Sequence, residues 1–406
     1  MVTNKRNNNL KIKPTELKKK IDSGENIFIL DVRNPEEHES WKVSYDKYRD
    51  TPVIPVDTLS SPEMIKQIPK DKQVVTFCGH GNRSMNAAKI LSENGYDARS
   101  IEGGLDGWNS VYDIASITDD SFLKIWQVRR VSKGCMSYMI ASPSDKKAVI
   151  IDPTCEVDNN AVSTIISSND LRITAVIDTH MHADHLSGAT RVAQKYGSDV
   201  YVSSLEPYEI KNRHNHDLNV KLVKEGDKIP IGGGIALEAI HTPGHTNGSM
   251  CFKLRANGVT ETTNNDYESE KNNKTRIYLF TGDTIFVDGI GRPDLHNKAE
   301  EFTHYLYDSY HHKILNMPEE TVILSAHYSN AFEHDKPILS TIKLSKDALD
   351  LLSAPEEKFV RYVTTHIPPQ PMNYEKILSI NKLMTPCNMV EEKDIEAGPN
   401  SCGIRA

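Results

Sequence analysis

Apolar runs alternate with amphipathic stretches in the first quarter of the chain. Residues 26–33 and 72–78 are apolar, partly β-branched and bounded by turn residues, which is the pattern of buried strands. Residues 14–24 and 84–96 have a helical pattern that ends near a glycine. Strands and helices in alternation predict a small α/β domain with a parallel sheet, which we assign to residues 10–115.

A different pattern starts near residue 122, where predicted strands follow one another through turns rather than helices. One predicted helix, at residues 188–197, follows a histidine-rich loop. Because sheet predominates and helices are interposed, we predict two packed sheets flanked by helices, an αββα sandwich, over residues 122–340. The predicted strands are at residues 123–131, 135–142, 147–154, 173–179, 199–204, 236–244, 249–254, 276–283 and 321–327.

Two later stretches contain few apolar residues. Residues 256–274 are polar and lie between two predicted strands, so we predict a solvated hairpin insertion there. From residue 345 the pattern indicates one or two helices, and the last stretch, residues 396–406, is predicted to be mobile. Residues 345–406 would thus form a helical extension that ends in a mobile tail.

The composition limits which binding partners and which cellular compartment we expect for the protein. The chain has 406 residues, which suit two domains, and a net charge of −8. This charge argues against nucleic acid and against an anionic membrane surface, because no basic stripe offsets the repulsion from phosphates. No stretch approaches the about 18 consecutive apolar residues of a membrane span, and no secretory apolar run follows the polar start. We therefore expect a cytoplasmic protein, and we also expect a homo-oligomer.

The six cysteines show no CxxC spacing, so neither a disulfide framework nor a zinc knuckle is predicted. Cys135, Cys155 and Cys251 lie in or beside apolar strand segments and are predicted to be small core residues. Cys387 and Cys402 belong to the extension and are predicted to be bystanders, with a redox or sulfur-relay role as the alternative.

A dense histidine cluster follows the predicted strand at residues 173–179. Residues two apart at a strand end point to the same side, so the side chains of His180 and His182 can converge while the chain turns into its helix. Asp184 and His185 follow at once. A histidine-rich surface loop is the alternative, but this combination rarely arises by chance, and metal binding is the stronger interpretation.

Three further metal-binding residue types stand at the ends of later predicted strands. His245 lies in the segment HTPGHT, Asp283 closes FTGD, and His327 closes LSAH. Ligands that rigid strands deliver to one edge of a sandwich form a preorganised metal site. His241, which precedes the HTPGHT turn, is predicted to be structural.

A separate reactive loop, FCGHGNRS at residues 77–84, lies between a predicted strand and a helix. Gly79 and Gly81 allow backbone N–H groups to turn inward beside Cys78, and the helix adds the positive end of its dipole. These surroundings favour a thiolate, and Arg83 provides a cation for an oxyanion. A phosphatase uses the same residue types, but four residues separate Cys78 from Arg83, one fewer than a phosphate-encircling loop needs, which favours a sulfur-sized guest.

The second domain resembles the metallo-β-lactamase fold superfamily over residues 122–340, through the motifs THMHADH, HTPGHT, TGD and the late AH. The segment GDTIFVDGIGRPDL at residues 282–295 looks like the persulfide dioxygenase branch rather than glyoxalase II, and the extension at residues 356–381 is similar to that of bacterial and archaeal members of the branch. The resemblance implies a single Fe(II) ion held by His180, His245 and Asp283, with open positions for substrate sulfur and O₂.

The same resemblance assigns roles to the remaining residues of the site. His182, Asp184, His185 and His327 would orient the iron ligands, or would complete a site for two zinc ions. Independently of the resemblance, the position of Arg292 nine residues after Asp283 predicts that it pairs with an anionic group of the thiol that carries the persulfide, with a surface salt bridge as the alternative.

The first domain resembles a rhodanese domain over residues 10–115, through the loop of Cys78, the segment LDVRNPEEHE and the closing segment IEGGLDGW. The resemblance implies transfer of a sulfane sulfur through a persulfide on Cys78. The chain departs from the family at residues 40–43, where SWKV replaces the usual G-H-I segment. This change affects a strand edge rather than the loop.

Both halves point to sulfane sulfur. We predict an enzyme that oxidises a low-molecular-weight thiol persulfide with O₂ to the thiol and sulfite, coupled to sulfur transfer among persulfide, sulfite and thiosulfate. The alternatives are a thioester hydrolase of the glyoxalase II type with two zinc ions and an accessory rhodanese module, and a sulfur carrier or sensor without turnover. The sequence leaves open whether glutathione, coenzyme A or another thiol is the carrier, and in which direction the sulfur transfer runs.

Overall fold

The fold is taken from a computed structural model of the chain. It describes the following residues: 10–41, 45, 48, 51–157, 161–210, 218–257, 275–295, 298–328, 332–370, 373–390, 395–396 and 400–405. Most of the hairpin insertion predicted at residues 256–274 lies outside them.

The first domain has a four-stranded parallel sheet in the order β1-β4-β3-β2. Apolar side chains of β2 and β3 are buried on both faces of the sheet, which explains their continuous apolar runs. The α/β prediction for this domain is confirmed. Its strands are β1 (Lys11–Ile12), β2 (Ile27–Asp31), β3 (Gln73–Phe77) and β4 (Ala98–Ile101), and its helices are α1 (Pro14–Asp22), α2 (Pro35–Ser40), α3 (Pro62–Ile65), α4 (Asn82–Glu93) and α5 (Gly104–Trp108).

The second domain begins with a seven-stranded mixed sheet in the order β11-β10-β9-β8-β7-β6-β5. Its first strand starts at Tyr112 and pairs with β6. The boundary between the domains therefore lies near residue 111, whereas the sequence predicted it between residues 115 and 122. The strands are β5 (Tyr112–Asp119), β6 (Lys124–Arg130), β7 (Met136–Ser142), β8 (Lys147–Ile151), β9 (Arg172–Ile177), β10 (Asp199–Ser203) and β11 (Val220–Val223).

A six-stranded sheet packs against the first one in the order β12-β13-β14-β15-β17-β18. The ring of Tyr138 meets that of Phe280 edge-on at 5.2 Å between the two sheets, and the Tyr138 hydroxyl donates to the backbone carbonyl of Ser325. The strands are β12 (Lys228–Gly232), β13 (Ile235–His241), β14 (Met250–Ala256), β15 (Arg276–Gly282), β17 (Val322–Ser325) and β18 (Ser340–Thr341).

Helices cover both outer faces of this sandwich, as predicted. One apolar cluster joins α6 and α7 to the first sheet, and another joins α8, α9 and α10 to the second sheet. Among the described residues, none of the helices is long and apolar enough to cross a membrane. The helices are α6 (Ser163–Asn169), α7 (Ala189–Tyr196), α8 (Ala299–Ser309), α9 (Ile342–Ala348), α10 (Glu356–Thr365) and α11 (Tyr374–Lys382).

The end of the chain is built into the second domain. Strand β19 (Gly403–Arg405) pairs antiparallel with β16 (Gly289–Gly291), and the side chains of Cys402 and Ile404 are buried. The described part of the tail is therefore ordered, and the prediction of a mobile tail is wrong for these residues. An alternation of only three residues after a glycine and proline segment is too short to indicate a strand from sequence.

The two domains share one apolar core and several polar contacts. Trp41 donates from its indole nitrogen to the carbonyl of Ser132 at 2.8 Å, and the ring of Tyr45 lies 4.7 Å from that of Phe332. Trp41 belongs to the departure noted at residues 40–43, whose last two residues lie outside the described part of the chain. The bulky residue of this segment thus serves the contact between domains.

Candidate metal centre and cysteine loop

Three buried side chains from distant segments meet at one edge of the sandwich. His180 follows β9, His245 follows β13, and Asp283 follows β15. Oδ2 of Asp283 lies 3.7 Å from Nε2 of His180 and 3.5 Å from Nε2 of His245. The structure therefore brings together the three residues that the resemblance named as iron ligands.

The three converging atoms have no hydrogen-bond partner within the described chain, although they are buried. These atoms are Nε2 of His180, Nε2 of His245 and Oδ2 of Asp283. Buried polar atoms are almost always paired, so three unpaired atoms that face one another need an explanation. A metal ion at their centre satisfies all three atoms, and this set of donors fits one.

The protonation states of these side chains also suit a metal. Burial lowers the pKa of His180 well below its usual value and lowers that of His245, so both imidazoles are neutral near pH 7. Burial would raise the pKa of Asp283, but the adjacent imidazole of His327 outweighs it and holds the pKa below the usual range. Metal ligands of this kind must be deprotonated, and these three are.

Hydrogen bonds fix which ring nitrogen of each histidine faces the centre. Nδ1 of His245 donates to the carbonyl of Arg292 at 2.8 Å. The Thr179 hydroxyl donates to Asp152 and accepts from Nδ1 of His180 at 2.9 Å, because its single proton is already used. Each imidazole is thereby held with its Nε2 lone pair toward the other ligands.

The other residues of the histidine cluster divide into two groups. Nε2 of His182 contacts Oδ1 of Asp152 at 3.2 Å, and its buried Nδ1 has no hydrogen-bond partner among the described residues. His327 lies between two carboxylates, with Nδ1 2.6 Å from Asp283 and Nε2 3.0 Å from Asp184. Burial opposes protonation of His327, but these carboxylates raise its pKa well above the usual value, so the ring is a cation that orients Asp283.

Two cysteines that the sequence did not single out lie beside this cluster. Cys135 pairs with His327 in an isolated β-bridge, and its thiol is 3.5 Å from Asp184. Burial and Asp184 raise the pKa of Cys135, but the imidazoles of His185 and His327 outweigh them and lower it to about 7. In the sequence, Cys135 stands at the start of a predicted strand, whereas the other candidate ligands follow the ends of strands.

Cys402 reaches the cluster from the end of the chain. Its sulfur and ligand atoms of Asp283 and His327 all lie within 4.8 Å of one another. Burial and the nearby Asp184 and Asp283 raise the pKa of Cys402 well above its usual value. No local pattern links position 402 to position 283, so only the tertiary structure reveals this neighbour.

A disulfide joins Cys155 to Cys387, with Cα atoms 5.8 Å apart. Cys155 is buried in the core, as predicted, but the prediction that Cys155 and Cys387 are bystander thiols is wrong. The two positions are 232 residues apart, and their spacing carries no sign of pairing. The disulfide ties the extension to the loop that follows β8.

The extension also braces the histidine loop directly. The Asn381 carboxamide donates to the carbonyls of His182 and His185 at 2.8 and 2.9 Å, and its oxygen accepts from the N–H of Ser187 at 3.0 Å. Glu396 accepts from the N–H of Leu186 at 2.5 Å. These four bonds satisfy the backbone of the loop that carries the predicted ligands.

The structure contradicts the prediction that Arg292 pairs with a substrate anion. Its side chain is fully buried, and all five N–H groups donate within the protein. The acceptors are Oδ1 and Oδ2 of Asp294 and the carbonyls of Pro368, Pro369 and Ser401, at 2.7 to 2.9 Å. Arg292 therefore anchors the extension beside the metal site.

The thiol of Cys78 lies at the end of β3 and is held by its own loop. It accepts from the N–H groups of Gly81 at 3.2 Å and Ser84 at 3.4 Å. Gly81 has a φ of 95°, which lets its N–H turn inward as predicted. Gly79 has a different role, because its backbone carbonyl accepts a hydrogen bond from the N–H of Asp106.

Arg83 lies at the mouth of this loop in an ion pair. Its two terminal nitrogens contact the carboxylate of Glu37 at 2.6 and 2.8 Å, and both side chains are partly exposed. Hydrogen bonding to Arg83 lowers the pKa of Glu37 to about 2. An anion that reaches Cys78 would compete with Glu37 for this guanidinium.

Comparisons with known proteins agree with both halves of the structure. The Rhodanese-like domain family matches residues 13–111, and the Metallo-beta-lactamase superfamily matches residues 132–260. An uncharacterized protein of Mycobacterium tuberculosis is 32% identical over 215 residues, which are 48% of this chain and 85% of that protein. The human mitochondrial persulfide dioxygenase ETHE1 is 27% identical over 246 residues, 60% of this chain and 82% of that enzyme.

A hydrolase and a solved structure extend the comparison. The probable polyketide biosynthesis zinc-dependent hydrolase BaeB of Bacillus velezensis is 33% identical over 170 residues, 41% of this chain and 63% of that protein. The crystal structure of a metallo-beta-lactamase from Staphylococcus aureus matches with a TM-score of 0.52 and 26% identity, over 69% of this chain and 75% of that one. The chain therefore belongs to the metallo-beta-lactamase superfamily, as an enzyme whose N-terminal part is a rhodanese-like domain.

Proposed function

We propose that the chain is a persulfide dioxygenase with a linked sulfurtransferase. The reaction is RSSH + O₂ + H₂O → RSH + SO₃²⁻ + 2 H⁺, in which the terminal sulfur is oxidised and O₂ is reduced. The observation that carries the proposal is the set of three unpaired atoms on His180, His245 and Asp283. Two imidazoles and one carboxylate are the ligand set of non-haem iron oxygenases.

Engaged ring nitrogens beside the triad support one ion, whereas Nδ1 of His182 and Nε2 of His185, which are buried without a partner among the described residues, would suit a second ion. The Nε2 atom of His182 is engaged by Asp152, and both ring nitrogens of His327 are engaged by carboxylates. A ferrous ion on the triad would supply open positions for the substrate sulfur and for O₂. The protein supplies a buried site and holds the Asp283 carboxylate in place through the His327 cation.

The rhodanese-like domain would transfer sulfur through Cys78. Its thiolate attacks the outer sulfur of RSSH, the S–S bond breaks, and RS⁻ leaves as Cys78 becomes a persulfide. Sulfite then attacks that outer sulfur and forms thiosulfate, which restores the Cys78 thiolate. The N–H groups of Gly81 and Ser84 stabilise the negative charge of the Cys78 thiolate.

A hydrolase with two zinc ions is the second candidate, and one observation favours it. Cys135, Asp184, His185 and His327 form another buried group of possible ligands whose atoms lie within 4.8 Å of one another. A relative, BaeB, is named as a zinc-dependent hydrolase. Elemental analysis of protein prepared without oxygen separates the candidates: one iron per chain supports the dioxygenase, and two zinc ions support the hydrolase.

Oxygen uptake after addition of glutathione persulfide is the decisive activity assay. We expect uptake in the wild-type chain, loss of iron and of uptake in His180→Ala, and no change in His312→Ala, whose side chain is 73% exposed. Iron-loaded wild-type protein that takes up no O₂ while it hydrolyses a thioester would overturn the proposal.

Thiosulfate sulfurtransfer to cyanide tests the other half. Cys78→Ser should abolish this transfer and leave oxygen uptake and iron content unchanged, because none of the ligands proposed for the metal lies in the Cys78 loop. Sulfurtransfer that survives in Cys78→Ser would remove Cys78 from the mechanism.

A further inference from the structure

The disulfide between Cys155 and Cys387 lies in a small apolar cluster of its own. The buried members of this cluster are Cys155, Leu186, Ile377, Cys387 and Ile395. Leu186 belongs to the histidine loop, residues 180–187, whereas the last three members belong to the extension. The disulfide therefore lies where the extension packs against the loop that carries candidate metal ligands.

The two residues by which the extension braces the histidine loop flank Cys387 in the sequence. Asn381 precedes Cys387 and bonds three backbone groups of the loop. Glu396 follows Cys387, accepts from the N–H of Leu186 at 2.5 Å and pairs with the buried Arg130. Because the disulfide fixes a point between the two braces, it limits how far either of them can move away from the loop.

Chain connectivity alone does little to keep the two cysteines together, since 232 residues separate them. A covalent link across so long a loop removes much of the freedom that a detached extension would gain. Breaking the disulfide therefore shifts the equilibrium toward a detached extension, which leaves the backbone of the histidine loop without its braces. A metal site that loses such support binds its ion less tightly.

The Cys155 sulfur lies next to a cation. Nη1 of Arg191 donates to the carbonyl of Cys155 at 2.9 Å and lies 3.7 Å from its sulfur. The carboxylate of Glu156 is 3.8 Å from the same sulfur, but that side chain is 42% exposed against 21% for Arg191, so water screens it more. A thiolate on Cys155 is therefore stabilised, which makes Cys155 the attacking sulfur when the disulfide forms and the leaving sulfur when it breaks.

We propose that Cys155 and Cys387 form a redox-sensitive latch, which a thiol persulfide closes by forming the disulfide and which a thiol opens by reducing it. In the closed form the extension is held against the histidine loop, and the candidate metal centre binds its ion more tightly. The inference rests on the proposed function, in which the persulfide is the substrate and the thiol is the product. Metal binding would thus be strengthened when substrate is present and weakened when product accumulates.

The closing reaction is RSSH + 2 protein SH → protein disulfide + RSH + H₂S. The Cys155 thiolate attacks the outer sulfur of RSSH, the S–S bond of RSSH breaks, and RS⁻ leaves and takes up a proton. The Cys387 thiolate then attacks the Cys155 sulfur, and hydrosulfide leaves. The two cysteines are oxidised, and the sulfane sulfur is reduced to sulfide.

The opening reaction consumes two thiols. A thiolate attacks the Cys387 sulfur, the disulfide breaks, and the Cys155 thiolate leaves. A second thiolate attacks the carrier sulfur of the mixed disulfide, which releases RSSR and the Cys387 thiolate. The small thiol is oxidised, and the two cysteines are reduced.

Mass spectrometry on the full-length, metal-loaded chain without oxygen tests the latch directly. The background is Cys78→Ser, because Cys78 would itself take up sulfur from a persulfide. In the reduced chain, glutathione persulfide should form the Cys155–Cys387 disulfide and release one H₂S for each disulfide, and excess glutathione should reverse it. The proposal is overturned if the two cysteines remain thiols, if Cys155 keeps a persulfide without forming the disulfide, or if excess glutathione leaves the disulfide intact.

Competition for the metal with a chelator measures the consequence in the same background. The disulfide form should bind the metal about tenfold or more tightly than the reduced form. Adding Cys387→Ser should reproduce the reduced form and abolish the response to either reagent. The matched control is Asn388→Ser, an exposed neighbour, which should leave the response unchanged. Equal metal affinities of the oxidised and reduced forms, which need no substitution in the latch, would overturn the proposal.

Neither measurement depends on turnover, so the failure of the latch can be told from the failure of the proposed function. A disulfide that persulfide forms and that tightens metal binding, in a chain that takes up no O₂, would retain the latch and reject the dioxygenase. Oxygen uptake by a chain whose metal affinity is the same with and without the disulfide would retain the dioxygenase and reject the latch.

Discussion

In the cysteine loop, the contacts to the Cys78 sulfur come from residues 81 and 84 of the same turn. In the candidate metal centre, which we call the metal cluster, the three converging atoms come from positions 180, 245 and 283. The loop uses backbone N–H groups, whose directions follow from the local φ and ψ angles. The cluster uses side chains, and two of them are aimed by a partner far along the chain, namely Arg292 for His245 and His327 for Asp283.

This difference predicts different sensitivities. A site made by one turn should fail when the backbone of that turn is displaced and should tolerate changes that do not touch it. A site made from remote segments should weaken when a brace far along the chain is removed, even if every ligand remains. The three following predictions separate these behaviours.

The largest effect is expected from Gly104→Ala, which attacks the loop alone. Gly104 has a φ of +60°, and a Cβ atom there would overlap the carbonyl oxygens of Cys78 and Gly79. The backbone must shift, and a misplacement of this size costs about 100-fold in activity. We expect that loss in thiosulfate sulfurtransfer, with iron content and oxygen uptake unchanged.

Gly95→Ala is the control for this change. Gly95 also has a positive φ, of +84°, but a Cβ there would have no atom within 4 Å. It therefore separates backbone strain from the overlap with Cys78. Equal losses of sulfurtransfer in the two variants would contradict the steric explanation.

A smaller effect is expected from Asn381→Ala, which attacks the brace of the metal cluster. Asn381 contacts none of the predicted ligands through their side chains, and it holds the backbone of the loop at His182, His185 and Ser187. Removal of such a supporting contact lowers metal affinity about 10- to 100-fold. Competition for the metal with a chelator measures it.

Ser379→Ala is the matched control on the same helix, because Ser379 is exposed and bonds only within its own turn. Sulfurtransfer should be unchanged in both variants. An affinity for metal in Asn381→Ala equal to that of wild type would mean that the extension does not support the cluster.

The smallest effect is expected from Glu37→Gln, which releases Arg83 at the mouth of the cysteine loop. The exposed ion pair with Arg83 contributes little, so we expect KM for thiosulfate to fall by about two- to fivefold. A rise in KM would instead mean that Glu37 positions Arg83 for the anion.

The pH dependence of this pair has a defined sign. The folded pKa of Glu37, about 2, is depressed below its ordinary value of 4.5. The stabilisation by the pair is therefore complete above about pH 4.5 and is lost as the pH falls toward 2. The difference between Glu37→Gln and wild type in KM should stay constant from about pH 5 to 8, and their unfolding free energies should converge in acid.

The fold was largely predictable because its core strands carry continuous apolar runs. The two buried strands of the first domain and the runs from β6 to β9 are long enough to be recognised by pattern alone. The short strands β1 and β16 were missed because two or three residues show no periodicity. Strand β5 was not predicted, and its first four residues fell within the predicted bounds of the first domain, since its pairing with β6 is not visible in its own sequence.

Within the candidate sites, the residue types and their clustering could be recognised from the sequence, whereas the hydrogen-bond partners of each side chain could not. The histidine cluster, the downstream His245, Asp283 and His327, and the loop of Cys78 were all found by spacing and position at strand ends. The predicted use of Arg292 was wrong because an arginine near a site looks the same in sequence whether its donors face a ligand or protein carbonyls. Only the arrangement of Asp294 and the extension around it distinguishes the two cases.

By itself the sequence determined the two domain types and the chemistry available to each, because apolar periodicity and the choice of donor groups are local properties of the chain. The tertiary structure alone decided which donors face one another, that Cys155 joins Cys387, and that the end of the chain closes a cavity beside the metal cluster. These contacts join residues tens to hundreds of positions apart. They follow from the way strands and extension pack, which no short stretch of sequence encodes.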